Sequence, residues 1–150
     1  MKPKSQPKTN ERGLFCQRLD DLLNPDHEIV RLARAIDWDS LVVAFGPLDA
    51  DQRGRPGVPI RLMAGIVLLQ HTFGVSDEKV VETWVQNPYW QYFCGEEFFQ
   101  HAFPIDPSSL SRWRGRIGKE GVEQLLALTI QAGKRTKTVT AKEMEIVIVD

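Results

Sequence analysis

Hydrophobic residues recur at helical spacing along most of the chain, which predicts a mainly α-helical fold. Apolar side chains spaced three and four residues apart lie on one face of a helix, and that face is expected to be buried. The pattern predicts helices over about 14–23, Pro25 to about Ile36, Leu41 to Phe45, Ile60 to Phe73, Ser76 to near Asn87, Pro107 to about Ile117 and Glu120 to Ala132.

The stretch from Ile60 to Phe73 carries the strongest helical pattern. Its apolar residues occupy most of the helix circumference, so we expect this helix to lie buried at the centre of the fold. Pro59 precedes the stretch and Gly74 follows it, as is typical of the two ends of a helix. Ser76 is the predicted N-cap of the next helix.

Capping and breaking residues predict several other helix boundaries. Asp39 or Ser40 is the expected N-cap of the third helix, and Gly46–Pro47 is expected to stop it. Asp106 is an expected N-cap with Pro107 at the first helical position. Two later glycines complete the set: Gly118 as a break and Gly133 as a C-cap.

The segment from Tyr89 to Phe103 is rich in aromatic residues and too irregular for a ladder of paired strands. It predicts a short helix, a turn at Gly95 and an extended return. Stacking of nucleic-acid bases on these rings is one interpretation. Aromatic residues at this density are more often part of the core, and we favour that interpretation.

The chain divides into four parts by composition. Residues 1–13 form a polar arm without periodicity, 14–133 the helical domain, 134–142 a basic, Thr-rich linker, and 143–150 a run of β-branched residues. Within the domain, the turn-rich stretch 49–59 predicts a loop. The last run is typical of a strand buried on both faces, and it has no partner strand in the sequence. We therefore expect it to be the first strand of a domain that continues beyond this chain.

Composition places the chain among globular proteins of about one domain. It has 150 residues, of which 42% are hydrophobic and 26% charged. The longest apolar run, Leu62 to Leu69, is shorter than the ~20 residues of a membrane span, and the polar N-terminus does not resemble a signal peptide. A cytoplasmic location is expected, with Cys16 and Cys94 as reduced thiols.

Positive charge concentrates near the end of the chain, although the formal net charge is −1. Between Ser108 and Thr138, seven basic residues stand against two acidic ones, which gives a local charge of +5. The basic residues are Arg112, Arg114, Arg116, Lys119, Lys134, Arg135 and Lys137. We predict that these seven residues contact DNA phosphates.

The helix that follows Asp106 is the candidate for base recognition. Arg112 and Arg116 lie four residues apart and therefore on one face, whereas Arg114 points elsewhere. A helix N-terminus offers free N–H groups to phosphate. Serine hydroxyls can hydrogen-bond phosphate or base edges, and those expected to do so are Ser108, Ser109 and Ser111. Preceded by a helix and a turn, this segment is similar to the recognition helix of a helix-turn-helix motif. A solvated basic helix packed on its apolar side explains the same pattern.

Other chemistries find little support in the sequence. The three histidines form no cluster with metal-ligand spacing, and Gly54 to Gly57 lacks the Lys-Ser/Thr of a phosphate loop. Asp150 stands at the end of the predicted strand, where metal-dependent phosphoryl-transfer enzymes often place a ligand. From the residues alone, we favour the simpler interpretation that Asp150 is a chain terminus without a catalytic role.

Several runs of residues resemble one family of transposases. The runs are Asn87–Gly95 (NPYWQYFCG), Phe103–Gly118 (FPIDPSSLSRWRGRIG), Gly54–Gly65 (GRPGVPIRLMAG) and Ile146–Asp150 (IVIVD). Together they look very like the InsH-like N-terminal domain of DDE-type transposases of insertion-sequence family five. The last run resembles the first strand of the family's RNase-H-like catalytic domain.

The resemblance implies a function in DNA transposition. Family members cut and rejoin the DNA of their own element with three acidic residues and Mg²⁺, and Asp150 would be the first of the three and a metal ligand. The other two would lie downstream, so we expect this chain alone to be inactive and to need no cofactor. The N-terminal domain would bind double-stranded DNA at terminal inverted repeats. Two alternatives remain: a module that multimerises with itself or with full-length transposase, and the remnant of a truncated gene.

Overall fold

The computed structural model describes residues 17–49 and 59–136, and all regular structure within these ranges is helical. The helices are α1 (Leu19–Leu22), α2 (Glu28–Ala35), α3 (Trp38–Asp49), α4 (Ile60–Phe73), α5 (Asp77–Trp84), α6 (Pro88–Phe93) and α7 (Ser108–Thr136). The mainly α prediction is confirmed. The predicted N-terminal arm, most of the 49–59 loop, the 143–150 strand and the linker beyond Thr136 lie outside the described residues.

Helix α4 lies at the centre of the fold, as predicted. Every residue from Leu62 to Gln70 is buried, and α3, α5 and α7 pack around the helix. It ends at Gly74, which adopts the left-handed conformation (φ 63°) and donates its N–H to the carbonyl of Gln70. Glycine takes this conformation without a steric penalty, which explains why the helix stops here.

The remaining helices pack against one another beside this centre. Helix α2 packs against both α6 and α7, and α1 packs against α6. A small second cluster of Leu19, Leu23 and Val30 lies beside the main core. None of the helices within the described ranges is both long and apolar enough to cross a membrane.

Helices α1 and α2 begin later than the sequence predicts. The N–H of Leu19, the first residue of α1, donates to the carbonyl of Glu97, and the preceding Arg18 is extended. Helix α2 begins after His27, whose Nδ1 accepts from the N–H of Ile29 at 3.2 Å. Pro25 therefore stands in a turn before the helix instead of in its first turn. The apolar pattern reveals neither acceptor: a distant backbone carbonyl lies at the start of α1, and a local side chain lies at the start of α2.

Helix α3 has a different cap and a different end from those predicted. Asp37 is the capping side chain, because its carboxylate accepts from both the N–H and the hydroxyl of Ser40. The helix continues through Pro47 to Asp49 instead of stopping at Gly46–Pro47. Proline lacks one N–H donor, and in the last turn of a helix this removes a single intrahelical bond.

The aromatic run forms α6 and the connection to α7, and its largest side chains belong to the core. Trp90 and Phe93 are buried, and Gly95 turns the chain with φ 93°. The sulfur of the neighbouring Cys94 lies against α4 at Gly65, where a Cβ would come within 2.7 Å of it. Such a close approach of two chain segments requires the absence of a side chain at this position.

Gln91 is a fully buried amide whose donors and acceptor are all matched. Its Nε2 donates to the carbonyls of Trp84 (3.1 Å) and Gln100 (2.8 Å), and its Oε1 accepts from the N–H of Gln100 (2.7 Å). A buried amide with all its partners stabilises the fold, whereas unpaired backbone groups would be costly. Gln91 thus ties the end of α5 to the irregular connection 94–107.

Helix α7 consists of two helical arms joined at Gly118. This glycine has φ 66° and ψ −179°, whereas the residues on both sides are helical. The predicted break is therefore confirmed. The predicted C-cap at Gly133 is wrong, because the second arm continues to Thr136.

Candidate nucleic-acid interface

Residues 108–119 of α7, here called the basic arm, comprise the helical segment before the break at Gly118 and Lys119 just after it, and one face of that segment is fixed in the core. Leu110, Trp113 and Ile117 project from that face and are 0%, 2% and 9% exposed. Trp113 also meets Phe45 of α3 edge-on, with ring centroids 5.9 Å apart. Because these three positions share one face of a helix, their burial determines which residues point to solvent.

The opposite face of the basic arm is polar and exposed. The exposed residues are Ser108, Ser111, Arg112, Gly115, Arg116 and Lys119. The structure therefore brings five of the predicted DNA-contacting side chains to one surface. Ser109, another predicted contact, is only partly exposed.

The N-terminus of the basic arm is already capped by the chain itself. Asp106 Oδ1 accepts from the N–H of Ser108 at 2.9 Å, which holds the pKa of the Asp106 carboxyl below its usual range. The N–H of Ser109 donates to the carbonyl of Asp106, and that of Leu110 to the carbonyl of Pro107. The predicted N-cap is confirmed. The expectation that free N–H groups here receive a phosphate is wrong for these three residues, because each has an acceptor.

Side-chain groups remain available at this end of the arm. Arg112 Nη2 donates to Ser108 Oγ at 2.7 Å, so the guanidinium lies along the first turn of the helix. Arginine recognises phosphate and base edges through several N–H donors, of which this bond uses one. Arg112 can therefore bind an anion without leaving its position.

Arg114 points away from the exposed face, as its position in the sequence predicts. Its side chain is 30% exposed, and its guanidinium donates to both carboxylate oxygens of Asp77 at 2.7 Å. Nη1 also donates to Gln70 Oε1 at 2.8 Å, and Gln70 Nε2 donates to Asp77 Oδ1 at 2.6 Å. The hydrogen bond from Arg114 is the main cause that lowers the pKa of Asp77.

Asp77 and Gln70 are absent from the residues that the sequence singles out. Asp77 stands in the first turn of α5, where an acidic residue is typical of any helix. Gln70 lies in a mostly apolar helix, and no sequence motif assigns it a partner. Only the folded structure brings Arg114 to these two side chains across 37 and 44 residues of chain.

The remaining predicted residues are not part of this surface or are not described. Lys134 is exposed on the second arm of α7, beyond the break at Gly118. The side chain of Arg135, as well as Lys137 and Asp150, lies outside the described residues. Within the described ranges, no three His, Cys, Asp or Glu side chains come together as metal ligands.

The helix-turn-helix geometry differs from the expected arrangement. Residues 94–107 separate α6 from α7, whereas helix-turn-helix motifs use a turn of about three or four residues. A turn of that size joins α4 to α5 through Gly74–Ser76. Helix α5 carries three acidic residues and one lysine, so positive charge lies on α7 instead. The basic arm packs on α4, the first helix of that pair.

Comparisons with known proteins place the chain in a transposase context. Residues 17–116 match the family described as Transposase domain (DUF772), a range that includes α1 to α6 and most of the basic arm. A curated relative from Rhizobium meliloti, named "Uncharacterized protein ORF8 in nfe locus", is 47% identical over 150 residues. The alignment covers 100% of this chain and 72% of that relative. No solved structure matches the chain.

Proposed function

This chain belongs to the transposase-domain family DUF772, and from that premise we propose that it is the N-terminal, DNA-binding part of an insertion-sequence transposase of the DDE type. The supporting observation is the exposed face of the basic arm, where Arg112 and Arg116 stand on a helix whose other face is buried and Lys119 is exposed just beyond the break. The proposed ligand is duplex DNA at the terminal inverted repeats of the element.

The dimensions of the arm suit a DNA groove. A helix with its side chains is about 10–12 Å across, and the major groove of B-DNA is about 12 Å wide. From Arg112 to Arg116 the helix rises about 6 Å, and Lys119 follows just beyond the break at Gly118, which allows contacts with a few phosphates on neighbouring nucleotides. Ser108 and Ser111 extend the same face towards the capped end and supply hydroxyl groups for base edges or phosphate.

The proposal for this chain is limited to DNA binding and assembly. The family resemblance implies catalysis by three acidic residues with Mg²⁺, of which Asp150 would be the first. Asp150 lies outside the described residues, and the described helical domain brings no acidic cluster together that would fit the ion. No catalytic step is therefore assigned to this domain.

DNA binding is tested by fluorescence anisotropy with a labelled terminal inverted repeat and a scrambled duplex, each at about 50 mM and 200 mM salt. We expect preference for the repeat. Arg112→Ala and Arg116→Ala should each weaken binding and reduce the salt slope by up to about 0.9, the value for one phosphate contact. Lys79→Ala removes another exposed positive charge, on α5, and serves as the control. Unchanged slopes for both arginine variants would contradict the assignment of the basic arm.

A second candidate function is self-association through α3. Val42 and Val43 are adjacent on this helix and are 45% and 78% exposed, which is unusual for neighbouring large aliphatic residues. Sedimentation of the wild-type protein and of Val43→Lys separates the two functions. A wild-type dimer that Val43→Lys disrupts, combined with no DNA binding at low salt, would favour the assembly module. A monomer in both cases rules it out.

A further inference from the structure

Arg114 differs from the other arginines of the basic arm in both direction and partners. Arg112 and Arg116 are exposed, whereas Arg114 is turned towards α4 and α5. Its guanidinium makes the two parallel N–H···O bonds that give an arginine–carboxylate pair its directional strength. A side chain held in this way is poorly placed to bind a phosphate on the opposite side of the helix.

The three residues of this network come from three different helices. Gln70 is in the last turn of α4, Asp77 is the first helical residue of α5, and Arg114 is in the middle of the basic arm. The carbonyl of Gln70 also accepts the N–H of Gly74, which ends α4. The network therefore connects the basic arm to the tight turn between α4 and α5.

We propose that Arg114 is a positioning residue: with Asp77 and Gln70 it forms a latch that fixes the rotation of the basic arm about its own axis, and it does not itself contact DNA. The DNA-related part of this inference rests on the proposed function. The apolar contacts of Leu110 and Trp113 decide which face of the arm is buried, but they are not directional and leave small rotations of the arm open. The paired hydrogen bonds are directional and act on the same helix.

Orientation matters because the exposed face is narrow. A binding constellation tolerates rotations of only about 10–20° before its groups leave the productive geometry. Arg112 and Arg116 project from one stripe of the arm, so a rotated arm presents them at the wrong angle to a groove. Loss of the latch should therefore reduce discrimination between DNA sequences more than it reduces general attraction to phosphate.

The latch is tested first without DNA, by urea unfolding of Arg114→Ala, Asp77→Ala and the double variant. We expect each single change to lower the urea midpoint. The midpoint of the double variant should be no lower than that of the less stable single variant. Residues that share one interaction show this non-additivity. Additive shifts in the midpoint would overturn the latch.

The positioning role is tested by DNA binding at a temperature where every variant is folded. For Arg114→Ala and Asp77→Ala we expect a roughly tenfold loss of preference for the repeat, the size of one lost base contact. Affinity for scrambled duplex and the salt slope should stay unchanged. Arg114→Lys keeps the charge but not the paired bonds, so it should behave like Arg114→Ala.

Two results would overturn the positioning role. If Arg114→Ala lowers the salt slope by about 0.9 while Asp77→Ala strengthens binding, Arg114 is a DNA contact that Asp77 restrains. If the repeat preference is unchanged in both variants, the latch has only a structural role. Failure of the wild-type protein to bind any duplex would instead refute the proposed function, and the urea comparison would still decide whether the latch exists.

Discussion

Replacing Gly115 or Gly118 by alanine should change the stability of the protein in opposite directions, although both glycines lie within one turn of α7. At Gly115 the backbone is helical and exposed, and an added Cβ would meet no atom within 4 Å apart from the neighbouring helix backbone. At Gly118 the space is equally open, but φ is 66° and ψ is −179°. The two sites thus differ in backbone conformation and not in packing.

The magnitudes follow from that difference. Alanine at an exposed helical position is about 1 kcal/mol more favourable than glycine, so Gly115→Ala should raise the free energy of unfolding by about that amount. The conformation at Gly118 is nearly exclusive to glycine, and forcing another residue into it costs of order 1–3 kcal/mol. Gly118→Ala should lower the free energy of unfolding accordingly.

Urea unfolding followed by far-UV circular dichroism measures both changes, and each variant is the control for the other. We expect the midpoint to rise for Gly115→Ala and to fall for Gly118→Ala, with equal slopes. Stabilisation by both alanines would refute the break in α7, because it would mean that residue 118 is helical in solution. Destabilisation at Gly115 would refute the statement that its surroundings are open.

Two further predictions concern the polar groups inside the fold. Gln91→Met removes a buried amide and leaves the N–H and carbonyl of Gln100 without their partner, so it should lower the free energy of unfolding by roughly 2–4 kcal/mol. Hydrogen exchange at the Gln100 amide should become faster, whereas Gln124→Met, at an exposed position, is the control. An unchanged exchange rate would contradict these hydrogen bonds. The pKa of Asp77 is lowered in the folded protein, so its stabilising effect is present above the unfolded pKa of about 3.9 and is lost as pH falls through the folded pKa. The stability difference between the wild type and Asp77→Asn should therefore be largest near neutral pH and shrink below about pH 4. Urea titrations at several pH values measure this difference. A difference that grows in acid would contradict the conclusion that the ionised carboxylate of Asp77 stabilises the fold.

Local sequence signals predicted those parts of the fold that depend on neighbouring residues. Pro59 and Gly74 give both ends of α4, and Ser76 and Asp106 give the caps of α5 and α7. Each of these signals acts within about one helical turn, where a single side chain satisfies or removes a backbone bond. The break at Gly118 is of the same kind.

Contacts between distant residues account for what the sequence did not predict. The start of α1 depends on a bond from Leu19 to Glu97, and the role of Arg114 depends on Asp77 and Gln70. The spacing of the arginines correctly predicted that Arg114 points away from the exposed face. It did not predict which residues Arg114 would contact. The wide separation of α6 and α7 agrees with the predicted turn at Gly95 and the predicted helix start after Asp106, whereas the helix-turn-helix interpretation did not take this separation into account.

The close contact between Cys94 and Gly65 makes the reactivity of the Cys94 thiol a measure of how often the packing around it opens. Burial raises the pKa of the Cys94 thiol and disfavours the reactive thiolate, so we expect alkylation to require an opening that exposes Cys94. The chain has two cysteines, and a Cys16→Ser background would leave this thiol as the sole target of an alkylating reagent. When alkylation is faster than reclosure, the alkylation rate equals the rate at which the contact between Cys94 and Gly65 opens. The rate of Cys94 alkylation, measured with and without DNA, would thus give the lifetime of the closed state.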